Sequence, residues 1–215
     1  AGITAATVDP EGGVFRREQG SSEPNGVMEE YAFFQLVGTL LANFDDAVND
    51  ELVSEGVRLL ASFGYTTGQE GRASGVGSAA MERVAARGEL PIDLVGYPDI
   101  LAVEQINPTR DYRNGFRIGG VKLTIDGSPQ GKTAWLTEPY FVPPAGQAAE
   151  YRGYAAVDEA TTFDAVDKAF SNDWQILVHA NGDAASDRFI EAVSRAREKY
   201  PKVDNRPILI HGQVL

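Results

Sequence analysis

The sequence of 215 residues contains no cysteine. Disulfides, thiolate metal sites and thiol catalysis are excluded by that absence alone. Histidine is almost as scarce: there are two, so any imidazole chemistry must pass through His179 or His211. Positive charge is outnumbered, with 19 Lys and Arg against 31 Asp and Glu and a net charge of -12. Phosphate recognition needs clustered Lys and Arg, so neither nucleic acid nor an anionic membrane is expected as a partner. No apolar run approaches the roughly 18 residues of a membrane span, and no signal peptide is visible. The expected location is the cytoplasm. A dinucleotide fingerprint after Gly119-Gly120, a Walker A motif and a Gly-x-Ser-x-Gly elbow are all missing.

What is present suits one globular unit with a real core, since 43% of the residues are hydrophobic and 23% charged. The opening Ala1-Gly-Ile-Thr4 and the closing Ile210-His-Gly-Gln-Val-Leu215 read as the interior of a longer protein. The chain is therefore expected to be a fragment. Residues 1–45 read as an insertion. They comprise a Gly- and Pro-rich stretch with a β-hairpin turning near Asn25-Gly26, or a surface loop, then a helix from Glu29 to about Leu41. Residues 46–215 read as the main body. A helix capped by Asp45 or Asp46 ends at Gly64. A short strand Tyr65–Gly68 leads into a loop at Gln69-Glu70-Gly71, and a helix spans Ser74–Gly88. Strands at Ile92–Val95 and Ile118–Asp126 follow, then a long loop over 127–153 and a helix over 158–171. A strand at Ile176–His179, a helix over 184–200 and a strand at Pro207–His211 complete the chain. Alternating helices and continuous apolar strands predict a parallel α/β sheet, with chemistry at the C-terminal strand ends.

Three of those strand ends carry unusual residues. In Val121-Lys-Leu-Thr-Ile125 the apolar residues alternate, yet Lys122 places a charge within the strand. A buried lysine is costly unless compensated. It is either a paired structural residue or, after carbamylation, a carboxylate bridging two metals. His179 and His211 each close three apolar residues and precede a glycine-containing turn. Neutral imidazoles at one level on neighbouring strands suit zinc and similar metals. The blander alternative is a pair of hydrogen-bonded structural histidines. Asp126 and Asp183 each lie four residues past Lys122 and His179. Either is a candidate to bind substrate, to orient a ligand or to cap the next segment. Glu70 holds the equivalent position after an earlier strand.

Taken together, these stretches resemble the amidohydrolase-3 branch of the amidohydrolase superfamily. The resemblance is carried by Gly2-Ile-Thr4 with Asp9-Pro10 and Gly12-Gly13, by Glu23-Pro-Asn-Gly26 with Glu29-Glu30, and by Gly64-Tyr-Thr-Thr67. It continues in Val121-Lys-Leu123 with Asp126-Gly-Ser128, Thr133-Ala134 and Pro139-Tyr140, in Val178-His-Ala180 with Gly182-Asp183, and in Ile210-His-Gly-Gln213. Ile210 stands where that branch has a glutamate. The resemblance implies a (β/α)8 barrel of which this chain spans roughly strands 2 to 6. It implies one or two divalent metals, zinc foremost, held by Lys122 in carboxylated form, His179 and His211. It also implies hydrolysis of a C–N bond (amide, formamide or cyclic amide) in a small-molecule substrate by metal-activated water. Substrate contacts are expected at Asp126, Asp183 and Glu70. The family's strand 1 His-x-His pair and strand 8 Asp base have no counterpart in this sequence, so the segment alone is expected to be inactive. The alternative from another class is a non-catalytic ligand-binding or regulatory α/β domain. A partial barrel exposes sheet edges, so self-association, including a homo-oligomer, is a further expectation.

Overall fold

The structure is a computed structural model that describes residues 2–41 and 43–214. It begins with an antiparallel hairpin of β1 (Gly13–Arg17) and β2 (Pro24–Glu30). The hairpin turns at Glu18–Glu23, where Glu18 N donates to Glu23 O and Ser21 N to Glu18 O. The expected turn at Asn25-Gly26 lies instead inside β2. There the Asn25 side chain donates to Arg17 O and accepts from Val27 N. Gly26 has a φ of 92°. An Asn-Gly pair serves this local kink as well as it would serve a two-residue turn. Helix α1 (Tyr31–Leu41) follows directly; Glu29 and Glu30, expected to open the helix, close the strand instead.

Helix α2 (Asp46–Ser62) is capped by Asp45, whose carboxylate accepts from Val48 N at 2.9 Å. It ends where Gly64, at a φ of 85°, lets its own N–H reach Ala61 O and that of Tyr65 reach Leu60 O. Then come β3 (Thr67–Ala73), α3 (Gly75–Ala86, capped by Ser74), β4 (Asp93–Pro98), β5 (Phe116–Ile118) and β6 (Gly120–Thr124). Beyond a loop that includes residues 127–157 lie α4 (Glu159–Ser171), β7 (Gln175–Ala180), α5 (Asp183–Lys199) and β8 (Ile208–His211). Three corrections concern β3 to β5. Glu70 lies within β3 and not in a loop, the strand expected over Ile92–Val95 runs instead from Asp93 to Pro98, and β5 has no counterpart among the expected strands.

Strands β3–β4–β5 and β6–β7–β8 form two parallel three-stranded sheets. They are stitched together along one line. Gly119 N donates to Gly96 O, Ile100 N donates to Lys122 O, and Asp99 bridges Lys122 in parallel. Gly96 pairs with Ile118, but Asp99 pairs with Lys122. The β5–β6 side thus carries one extra residue across the junction, a bulge at Gly119. A side chain at Gly119 would come within 2.6 Å of Val95 Cγ1 and 2.8 Å of Tyr97, so only glycine fits.

The bulge explains the packing. Phe116 and Ile118 lie in the same core as Val121, Leu123 and Ile125, against Val166 and Phe170 of α4 and Phe189 of α5. The helix-facing positions change from even to odd between Ile118 and Val121, as one extra residue demands. On the opposite face Val95, Tyr97, Leu177 and Ile210 make a second, smaller cluster. The result is a mixed α/β fold built on parallel sheets.

Candidate metal centre

The strand alternation that sends Val121, Leu123 and Ile125 to the helices sends Lys122 and Thr124 the other way. Lys122 pairs in register with Leu177, and Thr124 with His179, so all four share that face. His211 requires a further device. It pairs with Ala180, a helix-facing residue, and a regular strand would turn it from His179. Its φ is 83°, outside the extended region, and this turn brings the two imidazoles together. Their ring centroids are 4.5 Å apart, edge to face. The structure therefore brings His179 and His211 together near the C-terminal ends of β7 and β8, with Lys122, at the middle of β6, on the same face as His179.

Lys122 is 5% exposed, and its Nζ donates to Leu123 O at 3.0 Å. Burial lowers its pKa to about 7; Arg72 pushes in the same direction, and Asp99 and Asp126 only partly oppose it. Arg72 Nε holds Asp99 Oδ2 at 2.8 Å, which keeps that carboxylate from serving as the lysine's counter-ion. A lysine so placed is available as a free amine near neutral pH, the form that carbon dioxide can carboxylate. His179 is driven to neutrality as well. Burial holds its pKa at about 4, against a raising contribution from Gly127 O. His179 Nε2 lies 2.9 Å from Gly127 O. A carbonyl oxygen can only accept, and it lies nearer than the Asn181 Nδ2 donor at 3.2 Å, so Nε2 is assigned the proton and Nδ1 the lone pair. Two neutral imidazoles and an uncharged lysine form a donor set that a divalent metal fits. Among the described residues no group of three His, Cys, Asp or Glu side chains is arranged as a metal site. A third ligand from this cluster requires carboxylation of Lys122.

Asp126 is fully buried beside them. Its Oδ1 accepts from Asn181 N at 2.9 Å, and its Oδ2 from Gly182 N at 2.8 Å and Trp135 N at 3.0 Å. With both oxygens committed to backbone amides, it secures the β7–α5 turn, and its Oδ1 lies 3.6 Å from His179 Nε2. Asp183 opens α5 and accepts from Thr137 N at 2.9 Å and from the Thr137 hydroxyl, tying the long loop to the helix. Burial opposes the lowering of its pKa, but the hydrogen bonds from Thr137 and Ala184 prevail. Glu70 is not brought to the cluster. Its carboxylate accepts from Arg72 N, and it lines a hollow on the helix side with Leu60, Met81 and Leu94. A larger cleft of about 470 Å3 lies at the opposite strand ends, among Arg117, Trp174, Asn205 and Arg206, away from these residues.

Sequence reasoning passed over Glu30, Arg72 and Thr133. Glu30, with an unusual φ of 46°, accepts from Thr133 Oγ1 at 2.6 Å. Burial raises its pKa, which the Thr133 hydrogen bond partly offsets. Arg72 stacks over the ring of Phe34 at 4.0 Å. The signal available was two adjacent acids, Glu29-Glu30, at the end of an apolar strand; nothing in the spacing joined them to residues a hundred positions away.

The chain has relatives among known proteins. Residues 1–215 match the model of the amidohydrolase family. The chain is 30% identical over 224 aligned positions to “Putative amidohydrolase YtcJ” of Bacillus subtilis (strain 168), covering all of this chain and 40% of that protein. It thus spans well under half the length of that relative. Two crystal structures of uncharacterized metal-dependent hydrolases are similar in fold. One, from Pyrococcus horikoshii OT3, has a TM-score of 0.64 at 21% identity over 80% of this chain and 36% of its own. The other, from Pyrococcus furiosus, has a TM-score of 0.64 at 19% identity over 84% and 37%. On the strength of the match along its whole length, the chain belongs to the amidohydrolase family.

Proposed function

We propose that this chain carries part of the metal centre of a hydrolase that cleaves a C–N bond in a small amide, formamide or cyclic amide. The observation that carries the reading is the pairing of the His179 and His211 rings, 4.5 Å apart, with buried Lys122 on the same face as His179 and its pKa lowered to about 7. Strands β3 to β8 would supply part of a (β/α)8 barrel, and residues 1–45 an insertion beside the strand ends. His179 and His211 would hold one or two divalent metals, zinc foremost, with Lys122 joining them as a carboxylate. A metal bound there supplies Lewis acidity, lowering the pKa of a water towards about 7 and polarising a carbonyl. The chain's own residues prepare for this. Burial keeps His179 unprotonated, Gly127 O fixes its tautomer, and Asp126 holds the turn beyond it. Asp183 and the loop it anchors at Thr137 would border a substrate. The 215 residues alone would turn over no substrate, because the strand 8 Asp that would take a proton from the water and pass it to the leaving nitrogen has no counterpart among them.

The test is metal analysis of this chain and of a longer protein containing it, with bicarbonate present. Zinc bound at these residues is lost in His179→Ala and His211→Ala. Zinc uptake that survives both substitutions, or that is absent from both proteins, would overturn the proposal and leave the histidines a structural role.

A further inference from the structure

The carbonyl that fixes the His179 tautomer belongs to a peptide group held at its other end. Gly127 C=O and Ser128 N–H lie on one rigid plane. His179 Nε2 donates to Gly127 O at 2.9 Å, and Ser128 N donates to Thr133 Oγ1 at 3.0 Å. Thr133, 1% exposed, donates its hydroxyl proton to Glu30 Oε1 at 2.6 Å. Every donor in this series points the same way: imidazole to amide, amide to hydroxyl, hydroxyl to carboxylate. Hydrogen bonds aligned in series polarise one another, and this series ends on an anion. Gly127 has no room for a side chain, because a Cβ there would overlap Thr133 Oγ1 and Glu30 Oε1. Asn181 Nδ2 donates to the same Gly127 oxygen at 2.8 Å, which further restrains the carbonyl.

We propose that Glu30 is a positioning residue for His179, acting through Thr133 Oγ1 and the Gly127–Ser128 peptide so that Nδ1 is the nitrogen presented to a metal. A carboxylate hydrogen-bonded to a histidine sets its tautomer and raises the basicity of its other nitrogen. Here the carboxylate does so at three removes, and it comes from β2, 103 residues before Thr133. The residue accepts a left-handed backbone to be there. The relay rests on the proposed metal centre only for its purpose; its geometry is independent of any metal.

The experiment is NMR of the chain with 15N-labelled imidazoles, without metal, followed by zinc titration. In the wild type His179 is expected to be protonated on Nε2, with a ring proton slow to exchange with solvent. Thr133→Val and Glu30→Ala are expected to speed that exchange about tenfold. Glu30→Gln, which retains an oxygen to accept the Thr133 hydroxyl, should stay within about twofold of wild type. Zinc affinity should fall about tenfold in Glu30→Ala. A His179 ring protonated on Nδ1, or ring exchange unchanged in Glu30→Ala, would overturn the relay. If Thr133→Val does not fold, the contrast between Glu30→Ala and Glu30→Gln decides alone. Ring exchange that follows the relay, with zinc bound neither by this chain nor by a longer protein containing it, would defeat the metal centre and leave the relay standing.

Discussion

At the scale of single residues, Lys122 and His179 make the same demand on pH over different intervals. Each has a folded-state pKa below its ordinary value, so in each case the unfolded chain binds more protons across the gap. Stability then rises with pH through that interval. For Lys122 the interval runs from about 7 to 10.5. Lys122→Met should therefore be more stable than wild type at pH 7 by about 1–3 kcal/mol, and the advantage should shrink towards pH 10. Urea unfolding of both proteins at several pH values measures this; a constant difference would show that Lys122 is not held neutral. For His179 the interval runs from about 4 to 6.5, so its contribution to stability is lost as the pH falls through that range. His179→Phe should flatten this acid limb, as thermal melts between pH 4 and 7 would reveal. The two histidines and the lysine were legible in the sequence because each ends or interrupts an apolar strand. The turn that aims His211 was not, since a positive φ at a non-glycine residue leaves no mark on composition or spacing. Arg72 and Glu30 were illegible for another reason: their partners, Asp99 and Thr133, are brought to them only by the tertiary fold.

Among the secondary structures, the start of α5 is unusual in its dependence on a distant carboxylate. Gly182 occupies the cap position and has no side chain to offer. Asp126 supplies the anion from just beyond β6, accepting from Asn181 N and Gly182 N, where the helix dipole favours negative charge. Asp126→Asn keeps the shape but turns an amide donor towards backbone N–H groups. A loss of about 1–3 kcal/mol is expected, with faster amide hydrogen exchange concentrated at residues 181–185. Exchange that rose evenly over the whole chain would mean that Asp126 supports no particular element. The element order from α2 to β8 was readable from periodicity, capping residues and Gly64. The hairpin was readable in kind but not in register, because Asn25-Gly26 can make a kink or a turn and only its partner strand decides which. Strand β5 was the exception, since three residues beside β4 are too few to impose a period.

For the molecule as a whole, the apolar surface left open is considerable. Phe33, Leu40, Leu52, Leu59 and Phe63 are all exposed on α1, α2 and the residue that follows α2. In the sheet order β3 and β8 each have one hydrogen-bonded neighbour. Open strand edges and contiguous apolar patches invite pairing. Analytical ultracentrifugation should therefore show association that grows with concentration, and a monomer at every concentration would contradict this. Sequence could not foresee how much of α2 is uncovered, since helical spacing names an apolar face without saying whether anything lies against it. The bulge at Gly119 has the widest reach of any single feature. It acts as a phase shift between two lengths of one strand, so the first half of the sheet and the second half disagree by one on which residues count as inward. Remove that one residue and the downstream pleat inverts: Lys122 would be driven into the layer of α4 and α5, and Val121 and Leu123 would take its place beside the histidines. The chemistry of the strand end is thus a matter of parity, set three residues before the lysine by a glycine that touches none of it.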